Sequence, residues 1–142
     1  MIFMFEVGYT QGVFDMFHIG HLHLINNAKA QCKRLIVGVN ADTLVEQYKK
    51  KTPVISENDR AEIVRNLKSV DQCEIVFTLD KVELYKRFSF DAVFIGDDWK
   101  GNARWVATEE QLKEFGVPVI YLPHTPSVSS TLLKVEVPNR VD

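Results

Sequence analysis

The chain has 142 residues, 46% of them hydrophobic and 25% charged, and a formal net charge of −2. These proportions describe one globular domain with a substantial core. The slight acidity argues against a general affinity for nucleic acid or an anionic membrane, so any phosphate site must come from locally placed basic groups.

The apolar start, Met1-Ile2-Phe3-Met4-Phe5, runs straight into Glu6 with no basic region before it, too short for a signal peptide or membrane span. Glu6 to Thr10 reads as a strand, and Leu22, Ile25, Ala28 and Cys32 then recur at near-helical spacing. Leu35 to Val39 is an apolar run of strand length, suited to a strand covered on both faces. Asp42 can cap a short helix to about Tyr48, and the basic loop Lys49-Lys50-Lys51-Thr52-Pro53 follows. Ser56-Glu57-Asn58-Asp59 fits a capping box and opens a helix expected to turn Ile63, Val64 and Leu67 inward. Cys73 to Thr78 is a third strand, and Val82, Tyr85 and Phe88 mark another helix. Ala92 to Ile95 is a fourth strand, ending in Gly96-Asp97-Asp98-Trp99-Lys100-Gly101. Thr108-Glu109-Glu110-Gln111 is expected to cap the next helix, which Gly116 closes before a fifth strand, Val119 to Leu122. A last helix is expected from near Ser129 or Ser130 to just before Pro138. Cys32 and Cys73, on a predicted helix and strand, show no metal or redox spacing and read as reduced core thiols, with the cytoplasm as the expected compartment.

Short apolar strands alternating with helices imply a single α/β domain over residues 1–142: a Rossmann-like, doubly wound, five-stranded parallel sheet with helices on both faces. Ligands of such sheets bind beyond the carboxyl ends of the strands, near the switch in strand order. The segments expected there are Gly12 to His21, Gly96 to Gly101 and His124 to Thr131.

The first of these carries chemistry. Gly12 offers a sharp turn or a close approach to a ligand. His18 and His21 stand three apart in the first turn of a helix, where bare backbone N–H groups and the dipole favour an anion. Two histidines at this spacing can equally be a helix cap and a surface residue, and a zinc site lacks a third ligand at the right spacing.

Gly12-Val13-Phe14-Asp15-Met16-Phe17-His18-Ile19-Gly20-His21 resembles the signature of the nucleotidyltransferases related to the cytidylyltransferases. Gly96-Asp97-Asp98-Trp99, Val70-Asp71 and the segment from Leu122 to Thr131 extend the likeness, which is greatest to the glycerol-3-phosphate cytidylyltransferases. The resemblance implies that a phosphomonoester attacks the α-phosphorus of CTP, giving a CDP-alcohol and pyrophosphate. Its nucleophile is already an oxyanion, so catalysis reduces to in-line positioning and charge stabilisation. By this likeness His18, His21, Lys51 and His124 would be catalytic. Gly12, Val13, Phe14, Gly20, Asp98, Trp99, Thr125, Ser129, Ser130 and Thr131 would join them in binding nucleotide. Lys49 and Lys81 would hold the acceptor, Arg60 would support phosphate, and Asp15 would touch Mg²⁺ held mostly by phosphate oxygens. Trp105 reads as a packing aromatic. His124, Pro126 and Ser127 depart from the signature's Arg-Thr-Glu-Gly, and Val13 from its usual threonine, all around the ligand. Alternatives are ATP as donor, as in the related heptose-phosphate and flavin adenylyltransferases, or a non-catalytic nucleotide-binding domain. A homodimer with Val70 and Asp71 near its interface is expected by analogy.

Overall fold

A computed structural model describes residues 4–123. The described elements are β1 (Phe5–Gly12), α1 (Ile19–Lys29), β2 (Cys32–Asn40), α2 (Asp42–Lys49), α3 (Glu57–Arg65), β3 (Gln72–Val76), α4 (Lys81–Phe88), β4 (Ala92–Gly96), a single 3-10 turn (Asp97–Trp99), α5 (Ala103–Lys113) and β5 (Val119–Leu122). The five strands form one parallel sheet in the order β3-β2-β1-β4-β5, a Rossmann-like α/β arrangement.

Alternation along the strands divides the core between the two sheet faces. On one side Leu35, Val37, Val39 and Phe94 pack against Ile25 and Ala28 of α1 and Ala61 and Val64 of α3. On the other, Tyr9, Ile36, Val76 and Val93 pack against Leu84 of α4 and Trp105 and Leu112 of α5. Gly38 is a glycine for packing: a Cβ there would collide with the Tyr9 hydroxyl. β1 is followed outward by β2 and β3 on one side, and β4 by β5 on the other. The loops after β1 and β4 therefore diverge and open a crevice at their carboxyl ends.

Three expectations shift. Cys32 opens β2 rather than closing the first helix, yet its thiol donates to the Ala28 carbonyl at 3.4 Å. The apolar period persists because those residues touch after the helix has ended. The helix expected at Thr108 begins a turn and more earlier. Asn102 is its cap, accepting from Arg104 and Trp105 N–H, and the Thr108 hydroxyl instead bonds back to the Arg104 carbonyl inside the helix. In α3, Val64 is buried as expected and Leu67, just past the last turn, packs against the same core, but Ile63 is exposed. Asp71 pairs with Lys29 at 2.6 Å and accepts from Leu35 N–H. The helix expected after Ser129 lies outside the described residues.

Candidate active site

The turn after β1 is built on two left-handed residues that are not glycine, Phe14 (φ 53°) and Met16 (φ 51°). Such conformations cost on the order of 1–3 kcal/mol each and persist only where their surroundings hold them. Phe14 is held by burial and an edge-on contact with the His21 ring. Asp15, 2% exposed, accepts from Val54 N–H at 2.8 Å on Oδ2 and from Ile55 N–H at 2.9 Å on Oδ1. Gly12, expected to give a sharp turn or a close approach to a ligand, has no positive φ and lines the cavity described below. A Cβ on it would stand 3.1 Å from the Phe14 ring, so it is small to admit that ring.

His18 and His21 cap their own helix reciprocally. The Gly20 N–H donates to His18 Nδ1 at 3.0 Å, and the His18 N–H donates to His21 Nδ1 at 3.3 Å. With Nδ1 accepting in both neutral rings, the proton resides on Nε2. The rings stack with centroids 3.8 Å apart. Burial holds both basicities down. His21 is lowered to about 4, chiefly by burial and then by His18, against an opposing pull from Asp15. His18 Nε2 is buried without a hydrogen-bond partner. Capping and ligand binding are thus compatible, because they use opposite nitrogens.

These groups line one wall of a cavity of about 330 Å³. Gly96, Asp98 and Trp99 form the facing wall after β4, and the Arg104 guanidinium lies 5.5 Å from the Trp99 ring. Gln11, Asn40 and Tyr48 also line the cavity and are joined in a polar chain: Tyr9 donates to Gln11, Gln11 donates to Asn40 and the Thr78 carbonyl, and Asn40 donates to Tyr48. At the far end Lys81 is 5% exposed, donating to the Leu79 carbonyl at 3.0 Å with its ammonium 5.0 Å over the Trp105 ring. Burial, aided by Arg104 and opposed by Asp80, lowers the Lys81 amine to about 7.

The cavity brings together Gly12, Val13, Phe14, Asp15, His18, Gly20, His21, Lys49, Lys81, Asp98 and Trp99 from the sequence expectations. Lys51 is exposed and stands outside the cavity wall, beyond the left-handed Lys50 that ends α2. His124, Thr125, Ser129, Ser130 and Thr131 lie outside the described residues. Arg60 is neither a phosphate ligand nor a surface ion pair. It is 1% exposed and donates to the carbonyls of Val13, Asn40 and Ile55 and to Asp42. Asp15, expected beside Mg²⁺, has both oxygens engaged by loop amides. Among the described residues no group of three His, Cys, Asp or Glu side chains could hold a metal. Gln11, Asn40, Tyr48, Arg104 and Trp105 were not singled out as site residues from the sequence. The signal that places the last two is Asn102, a good cap six residues after Gly96, which sets Arg104 and Trp105 in the first turn of α5.

Among the described residues no helix is long and apolar enough to cross a membrane. The profile of the cytidylyltransferase-like family matches residues 9–136. The FAD synthase of Thermococcus onnurineus is 37% identical over 117 residues, covering 80% of this chain and 76% of that protein. The bifunctional protein HldE of Acidiphilium cryptum is 34% identical over 127 residues, covering 89% of this chain. This chain spans only 26% of that HldE's length. A solved structure, the lipopolysaccharide core biosynthesis protein of Thermoplasma volcanium, superposes with a TM-score of 0.70 at 24% identity, over 85% of this chain and 97% of that one.

Proposed function

The chain belongs to the cytidylyltransferase-like family of nucleotidyltransferases, and we propose that it transfers AMP from ATP to a small phosphomonoester, releasing pyrophosphate. The observation that carries the choice of nucleotide is the kinship with an FAD synthase, 37% identical across 80% of the chain. FAD is an adenylylated flavin phosphate. The CTP and glycerol 3-phosphate that the motifs implied therefore become the second reading, favoured by Gly96, Asp98 and Trp99 at the cavity wall.

In this reading an acceptor phosphate oxygen forms a bond to the α-phosphorus as the bond to the β,γ-pyrophosphate breaks. No proton need be removed from the nucleophile. Lys81 at the cavity floor and Lys49 at its rim hold the acceptor phosphate, and Lys51 on the adjoining loop reaches the triphosphate. His18 and His21 donate from Nε2 to the phosphoryl oxygens as charge develops, without the reorganisation that water would need. Mg²⁺ enters as part of the nucleotide substrate, held by phosphate oxygens, and neutralises charge there. Removing one such donor, as in His18→Ala or His21→Ala, lowers kcat by about 10²–10³.

The test is pyrophosphate release with Mg²⁺ and each of ATP, CTP, GTP and UTP, against glycerol 3-phosphate, sugar phosphates and FMN. Release with ATP alone supports adenylyl transfer. Release with CTP alone moves the assignment to the second reading. Silence with every pair leaves a nucleotide-binding domain without turnover.

A further inference from the structure

Two buried side-chain nitrogens among the described residues lack a hydrogen-bond partner, His18 Nε2 and Trp105 Nε1. Both belong to residues that line the same cavity. A buried N–H left unpaired is costly, and a tryptophan N–H usually finds a partner when buried. His18 Nε2 has its role in the reaction above. Trp105 Nε1 has none in it.

Trp105 is 4% exposed and fixed from two sides. Its backbone N–H is held by the Asn102 cap, and its indole face carries the Lys81 ammonium 5.0 Å from the centroid. With the face given to Lys81, the edge of the ring is what remains for other polar contacts. Lys81 donates to the Leu79 carbonyl and has no carboxylate in ion-pair range among the described residues. Lys81 and Trp105 therefore stand side by side in the cavity lining, the ammonium over the ring and the indole N–H without a partner.

Resting on the nucleotidyl-transfer reading, we propose that the Trp105 indole N–H determines acceptor specificity by donating to an oxygen of the acceptor's organic part, a few bonds from the phosphate that Lys81 holds. The acceptor class is then a phosphomonoester bearing a hydroxyl near its ester carbon, a polyol or sugar phosphate rather than a plain alkyl phosphate. A site built to hydrogen-bond a hydroxyl discriminates strongly against the analogue lacking it, because its own buried donor is left unpaired.

The test compares glycerol 3-phosphate with 1-propyl phosphate, its dideoxy counterpart, in the wild type and in Trp105→Phe, which keeps a ring over Lys81 but removes the N–H. Pyrophosphate release is followed with ATP and with CTP, using whichever is turned over. The wild type is expected to show a KM for glycerol 3-phosphate roughly tenfold below that for propyl phosphate. In Trp105→Phe that gap closes through a higher glycerol 3-phosphate KM, while kcat and the nucleotide KM hold. An unchanged gap, or a KM that rises equally for both acceptors, overturns the proposal. Should the phenylalanine leave the core too loose to fold, 3-benzothienylalanine introduced at this single position exchanges N–H for sulfur within the same bicycle and gives the same comparison. No pyrophosphate from the wild type with any nucleotide and any polyol or sugar phosphate overturns the nucleotidyl-transfer reading itself, and this proposal with it. Turnover with FMN alone overturns this proposal and leaves that reading standing.

Discussion

Asp15 and Val54, 39 residues apart in sequence, are joined by a 2.8 Å hydrogen bond from the Val54 N–H to the Asp15 carboxylate, and Ile55 binds the other oxygen. The signature turn thereby latches the far end of the loop that begins at Lys49. Asp15→Asn keeps the shape but sets an amide donor against a backbone donor. Losing one charge-assisted bond is worth about 1.5–3 kcal/mol, so kcat/KM is expected to fall roughly 10- to 100-fold. The Mg²⁺ concentration for half-maximal rate is expected to hold. A large rise in that concentration, with loop and stability intact, would instead make Asp15 a metal contact.

Arg60 ties the ends of β1 and β2 to the same loop through the Val13, Asn40 and Ile55 carbonyls. Its side chain is fully buried, whereas Asp42, its ion-pair partner, is 30% exposed. The two ends of that pair should therefore respond unequally. Arg60→Met strands three carbonyls and is expected to cost about 3–5 kcal/mol in urea unfolding. Asp42→Asn leaves a solvated neighbour and is expected to cost about 1 kcal/mol. Equal losses for the two variants would show that Arg60 is not the hub the hydrogen bonds describe.

The contrast shows what a sequence can disclose here. The strands were legible because β2 and β4 are apolar on both faces, and β5 was placed at Val119–Leu122 to the residue. The histidine turn was legible as a motif, but not the division of labour between Nδ1 and Nε2, which depends on coordinates. Gln11, Asn40 and Tyr48 escaped because their roles come from pairing across β1 and β2, invisible to any local pattern. Arg60 and Asp15 carry a second role that escaped in a related way. A charged residue near a phosphate motif suggests a ligand, and the structure also uses both to tie loops that are distant in sequence.

His21 gives the fold a pH dependence of defined sign. Its folded-state value is lowered to about 4, against about 6.5 in an unfolded chain. Above pH 6.5 both states hold it neutral, so its contribution is constant. As pH falls from about 6.5 to 4, the unfolded chain takes up a proton that the folded one refuses, and stability declines by at most about 3 kcal/mol. His21→Asn offers an acceptor near the Nδ1 position and cannot titrate. Its unfolding free energy is expected to fall less steeply over that window. A parallel slope in both proteins would place the titration elsewhere.

Lys81 sets the opposite dependence for the acceptor. Its amine titrates near 7 in the free protein because it is buried, with Arg104 adding to the effect. On the proposed reading the ammonium form binds the acceptor dianion, so that affinity is present below pH 7 and lost as pH rises through it. A phosphomonoester itself gains its second charge near pH 6, so above pH 7 the acceptor no longer changes and Lys81 alone does. The KM for the acceptor is expected to be lowest between about pH 6 and 7 and to rise on the order of tenfold by pH 8.5, with the nucleotide KM nearly level. Lys81→Met should show a high acceptor KM that is flat across the same range, since no titrating cation remains at the floor. An acceptor KM that stays level in the wild type between pH 7 and 9 would remove Lys81 from acceptor binding. The phosphate would then be left to the exposed Lys49.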